Sequence, residues 1–173
     1  MNTFELKVWN DERKLCTFYT VQNEGRELTE MDDFLAKYVD SEAYKKELEY
    51  LLIFLFEIVG DRGAEDYHFR PENKALGLPP KGKITQSLRV FHFKDFPLRL
   101  FAIKINKNVV ILLNGGIKDN TKAQTSSLSP QWYEAQNFAK RIDQAILSRE
   151  IVTDVENIRK LLNDQGGEEI ILF

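Results

Sequence analysis

Apolar and polar residues alternate from Phe4 to Val21 (FELKVWNDERKLCTFYTV), with a break at Asn10-Asp11-Glu12. Phe4, Leu6 and Val8 on the way out, and Cys16 and Phe18 on the return, predict an N-terminal β-hairpin. The period then changes. Thr29 is a good N-cap, followed by Glu30, Asp32 and Asp33 in the first turn, and Met31, Phe34, Leu35 and Tyr38 recur at helical spacing. Ser41 is placed to cap a second helix running through Val59, whose apolar face holds Tyr44, Leu48, Leu51, Leu52, Leu55, Phe56 and Val59. Gly60 and Gly63 stop it. The stretch from Asp61 to Gly82 carries Pro71, Gly77, Pro79 and Pro80 and reads as a loop.

Three strands are expected next: Leu88 to Phe93 (LRVFHF), Leu98 to Ile105 (LRLFAIKI) and Val109 to Leu113 (VVILL), the last apolar enough to be central. Gly115-Gly116 marks a bulge or tight bend. Ser129-Pro130 opens a helix with proline at its first position and a stripe of Ala135, Phe138, Ala139, Ile142 and Ile146. A last helix is expected over about Val152 to Asn163, and Glu168 to Phe173 (EEIILF) forms a possible terminal strand. The fold class is therefore α+β: an N-terminal β-hairpin and two helices packed on an antiparallel meander, with C-terminal helices beyond it.

Composition changes this picture little. A chain of 173 residues, 43% hydrophobic and 29% charged, suits one globular domain with a core of its own. The most apolar run, Leu51 to Phe56, is far short of a membrane span, and the N-terminus does not read as an export signal. With a lone cysteine, Cys16, set in a strand pattern, the expectation is a cytoplasmic protein without disulfides.

Charge changes it more. From Lys81 to Lys122 there are nine basic residues and two acids, Asp95 and Asp119, a surplus of seven; the rest of the chain stands at −10 within a total of −3. A basic, strand-forming centre between acidic flanks attracts phosphate or another anionic partner, or else decorates the solvent face of a sheet. Motifs for other chemistries are missing. His68 and His92 lie far apart with no ligand spacing, and there is no P-loop, dinucleotide or nucleophile-elbow signature. Phe91, Phe93, Phe96 and Phe101 are candidates for base stacking, or for the core.

The stretches Glu30–Tyr38 (EMDDFLAKY), Gly77-Leu78-Pro79, Leu98–Thr125 (LRLFAIKINKNVVILLNGGIKDNTKAQT) and Ser129–Ile146 (SPQWYEAQNFAKRIDQAI) resemble, in kind and order, the RelE/ParE toxin superfamily, and most of all its HigB-like branch. The resemblance covers about Phe4 to Ile146. It implies a toxin domain over residues 1–147 and a helical extension with a possible terminal strand over 148–173. It further implies cleavage of messenger RNA, usually on the ribosome, with a cognate antitoxin as partner and no metal or other cofactor. In that chemistry the RNA's own 2′-OH attacks the adjacent phosphate while cationic side chains stabilise the developing charge. The residues carried over are Arg99 on the middle strand, Arg89 one strand earlier and Lys118 at the end of the third. His92 is the candidate for proton transfer, and Lys81, Lys83, Lys104 and Lys122 are candidates to follow the RNA backbone. Strict alternation sets His92 opposite Arg89 on a regular strand.

The chain departs from the family in being acidic overall, in Asp119-Asn120-Thr121 after Lys118, and in its C-terminal section. Two alternatives to the nuclease therefore stand: a non-catalytic module that binds an acidic peptide or protein on the same scaffold, and a structural protein whose basic centre complements its own acids.

Overall fold

The computed structural model describes residues 2–118 and 128–173. Its centre is a seven-stranded mixed sheet. The strands are β1 (Phe4–Asn10), β2 (Thr17–Asn23), β3 (Arg70–Glu72), β4 (Ala75–Leu78), β7 (Leu98–Asn106), β8 (Val109–Ile117) and β11 (Ile170–Leu172), in the order β11-β1-β2-β8-β7-β4-β3. Among the described residues only β2 and β8 run parallel, from Thr17 beside Val109 to Thr20 beside Leu112. Two small two-stranded sheets stand apart: β5 (Lys83–Gln86) with β6 (Arg89–His92), and β9 (Ile151–Thr153) with β10 (Leu161–Asn163).

Alternation along the strands divides the core into two layers. On one face, Phe4, Leu6, Tyr19, Phe101, Ile103, Ile111 and Leu113 pack against α3 (Ser129–Leu147) through Phe138, Ala139 and Ile142. On the other, Phe18, Leu100, Ala102, Val110 and Leu112 meet α1 (Glu30–Tyr38), α2 (Lys45–Ile53) and the π-helical turn Phe54–Gly60 that continues α2. These side chains are almost fully buried, and their removal from water is the main source of stability. No described helix is long and apolar enough to cross a membrane. Thr29 caps α1 as expected, its Oγ1 accepting the Asp32 N–H at 3.1 Å. The second helix begins four residues beyond Ser41, because Ser41 first closes a turn with Tyr44 and Lys45.

Three expectations fail for physical reasons. The loop expected over 61–82 contains β3 and β4, joined through Asn73 in the left-handed conformation (φ 63°). It is β4 that pairs with β7, so the strand around Leu88–Phe93 is not part of the main sheet at all. The helix expected over 152–163 is the β9–β10 hairpin. Asp154 Oδ1 accepts the Glu156 N–H and Asn157 Oδ1 accepts the Arg159 N–H, local turns that compete with a helical backbone. The terminal strand is present as β11, antiparallel to β1.

A buried histidine tunes this fold to pH. His68 Nδ1 accepts the Glu65 N–H at 3.0 Å, and Nε2 therefore donates to Gln86 Oε1 at 2.8 Å. Burial holds its pKa below the usual 6.5. The unfolded chain consequently binds a proton in a range where the folded chain does not. The contribution is complete above about pH 6.5 and is lost as pH falls from there toward the depressed folded value, at up to about 1.4 kcal/mol per pH unit. Urea midpoints measured from pH 7.5 down to 5.5 should fall, and His68→Gln should flatten that slope.

Candidate functional site

The basic residues of the central segment fall into three separate settings. Arg99 lies on the α3 face of β7, 3% exposed. Its Nη1 donates to Glu72 Oε1 at 2.9 Å, while Glu72 Oε2 accepts from Trp132 Nε1 at 3.2 Å. Gln136 ties the same place to α3, its Nε2 donating to the Glu72 carbonyl at 2.6 Å. Arg70 adjoins the pair and donates through Nε to the Pro79 carbonyl at 2.8 Å. Burial, and then the charge of Arg99, pulls Arg70 down to about 10, and burial lowers Arg99 as well. The lack of a side chain at Gly77 makes the room: a Cβ there would sit 3.1 Å from the side chains of Arg70, Arg99 and Glu72.

Arg89 belongs to a different sheet. On β6 it shares a face with buried Phe91, its guanidinium 5.0 Å above that ring, and it pairs with Glu57 of the π-helical turn. The two arginines that the resemblance brings to one phosphate are thus each held by a carboxylate, in different sheets. His92 is exposed on the opposite face of β6 from Arg89, cross-strand from Lys83. The alternation argument accordingly holds.

The lysines are dispersed too. Lys104 Nζ reaches Asp66 at 2.8 Å. Lys118 lies one residue past the end of β8, its backbone N–H donating to the Pro97 carbonyl at 2.6 Å. Lys122 lies outside the described residues. Lys81 and Lys83 are exposed at the entry to the β5–β6 hairpin, and among the described residues neither has an ion-pair partner. Phe91, Phe93 and Phe101 are core, at most 2% exposed, so none offers a face to a base. Cys16 is buried and its thiol is pushed up to about 12, well outside the nucleophilic range.

A polar cluster that the sequence reading missed joins α1 to the end of β8. Lys37 Nζ donates to Asn114 Oδ1 at 2.9 Å and to the Gly115 carbonyl at 2.7 Å. Asn114 Nδ2 donates to Asp33 Oδ2 at 2.7 Å and to Glu30 Oε2 at 3.1 Å. Burial lowers Lys37 and raises Glu30. Asn114 interrupting an otherwise apolar strand was the available signal. The cluster fastens helix to sheet, and among the described residues no group of acids, histidines or cysteines has the geometry to hold a metal ion.

The β5–β6 hairpin remains as the exposed basic surface. Its solvent face carries Lys83, Thr85, Val90 and His92, with Lys81 and Lys94 at its base and Ser87-Leu88 at its tip. Comparison with protein-family models, with curated proteins and with solved structures gave no match.

Proposed function

We propose that this chain is a non-catalytic binding module on a RelE/ParE-like scaffold of the HigB-like kind, acting in the cytoplasm and gripping an acidic protein partner through the β5–β6 hairpin. An antitoxin-like acidic segment would be such a partner. The scaffold reading is supported by a helix pair ahead of three antiparallel strands, β4-β7-β8, followed by a long helix. One observation carries the functional reading: Arg99 and Arg89 are already neutralised by Glu72 and Glu57, while Lys81 and Lys83 stand unpaired among the described residues. Metal-independent RNA cleavage, the activity the resemblance implies, needs a guanidinium that can reach a phosphate. A side chain 3% exposed and bound to Glu72 does not offer one. Exposed lysines, by contrast, steer and orient acidic partners without chemistry.

Fluorescence anisotropy of a labelled sixteen-residue polyglutamate peptide tests this. Wild-type protein should bind it at 50 mM salt and lose about tenfold in affinity by 300 mM, since screening shortens the reach of exposed charges. Lys81→Glu with Lys83→Glu should abolish binding while leaving thermal unfolding unchanged. Transcripts should stay intact in cells expressing the wild type. Degraded transcripts, or binding indifferent to the two reversals, would overturn the reading.

A further inference from the structure

We infer that Leu88 is the anchor of this interface: a single leucine held out in a left-handed turn to enter an apolar pocket rimmed by carboxylates on the partner. The inference rests on the hairpin being the binding surface and adds what that surface recognises.

The register pairs Gln86 with Arg89, so Ser87 and Leu88 form a two-residue turn. Both have positive φ, 56° and 63°. This geometry matches the twist of a hairpin, but it belongs to Asn and Gly, and a bulky side chain is rarely found in it. The side chain so placed touches nothing: Leu88 is 103% exposed, and Val90 beside it is 46% exposed. Local folding energetics therefore favour Asn or Gly at position 88 twice over, by backbone preference and by avoiding exposed apolar surface. Backbone conformations of this kind persist where the surrounding structure holds them, and they cluster at binding sites.

The surrounding structure does hold this one. Below the tip, Phe91 and Phe93 lie in an aromatic cluster with Tyr50 and Phe54, at centroid distances of 5.0–5.5 Å. Gln86 is fixed to His68, and Arg89 to Glu57. The hairpin is thus a stiff arm with an unsupported apolar end, and a rigid anchor loses little freedom on binding. The charge around it sets the partner. Among the described residues Lys81, Lys83 and Lys94 form no ion pair, although Asp95 follows Lys94 in the chain, and this favours an acidic rim about the pocket. A nucleic acid fits less well, because the aromatic rings of the arm point inward and its arginine is taken.

Two labelled peptides of equal length decide the matter: polyglutamate, and polyglutamate with leucine at every fourth position. Wild type should bind the leucine-bearing peptide about tenfold more tightly, the scale of a single apolar anchor. Leu88→Asn should reduce that peptide to the affinity of polyglutamate and raise the melting temperature by a few degrees because the turn is relieved. Equal affinity of wild type for the two peptides, or a lower melting temperature in Leu88→Asn, would overturn the anchor while sparing the electrostatic surface. Failure of wild type to bind either peptide would overturn both. Leu88-dependent binding to phosphatidylserine vesicles or to oligouridylate, with no preference between the peptides, would refute the protein pocket as the target.

Discussion

Gly115→Ala should leave the chain unable to fold. Between Leu100 beside Gly115 and Ala102 beside Leu112, two residues of β8 oppose one of β7, a bulge at Leu113 and Asn114. The bulge turns the position of the missing Cβ toward the neighbouring strand. An added methyl would overlap the Arg99 carbonyl oxygen and lie 2.8 Å from the carbonyl carbon and 2.9 Å from Leu100 Cα. These are backbone atoms in the middle of the sheet, so no side chain can swing away. Relief requires β7 and β8 to part at the join between the two core layers, a cost beyond the roughly 4–5 kcal/mol that only exceptional substitutions reach. The expected result is insoluble protein, or soluble protein without a cooperative thermal transition in circular dichroism. Gly25→Ala is the control: with φ of 80° and nothing within 4 Å, it should cost only about 1 kcal/mol of backbone strain. A folded Gly115→Ala protein of normal melting temperature would show that the bulge is not where we place it.

Glu72→Ala should be the most damaging change to a side chain. It removes the carboxylate between Arg99 and Trp132 and leaves a buried guanidinium whose Nε already lacks a partner. Arg70 next to it then meets an uncompensated like charge. Breaking a buried pair from one side costs about 3–5 kcal/mol, because the surviving charge stays desolvated. Arg99→Leu should cost less, because Glu72 keeps its Trp132 hydrogen bond and the charge of Arg70 nearby, and Arg99→Leu with Glu72→Leu less again, so urea unfolding of the two single variants and the double variant should give a strongly non-additive cycle. The same numbers bear on function. Loss of activity in an Arg99 variant would have to be compared with its stability before Arg99 were given a catalytic role. Additive losses in the cycle would mean that Arg99 and Glu72 do not depend on each other.

What could be read in the sequence followed from period and punctuation. Thr29 with its acidic first turn, Ser129-Pro130, and the apolar run at Val109 announced their elements, because each signal is local. Gly115-Gly116 marked a bulge or tight bend, and the bulge lies just before it, at Leu113 and Asn114, with both glycines paired in register. The β3–β4 hairpin was hidden behind proline and glycine, although Asn73 between Arg70-Pro71-Glu72 and Ala75-Leu76 is a turn signal in its own right. Asp154 and Asn157 mark the β9–β10 hairpin that the helical reading passed over, since each folds its side chain back onto the backbone two residues on.

The candidate site was less legible still. A basic surplus counted along the chain does not say which cations meet acids from distant segments: Glu72 is 27 positions from Arg99 and Glu57 is 32 from Arg89. Nor does it say that LRVFHF and LRLFAIKI belong to different sheets. The exposed end of the arm could be suspected only once the turn register was known, because Ser-Leu is not a turn dipeptide.

The two tryptophans lie on opposite sides of the sheet. Trp132 donates to Glu72 in the α3 layer, while Trp9 stacks on Phe56 at 5.7 Å and donates to Asp32 of α1 at 3.3 Å. Each indole is therefore a built-in optical probe of its own layer, and replacing either by phenylalanine leaves a single tryptophan to be excited apart from the tyrosines. The protein carries within itself the means to learn whether its halves melt as one body or come apart in sequence.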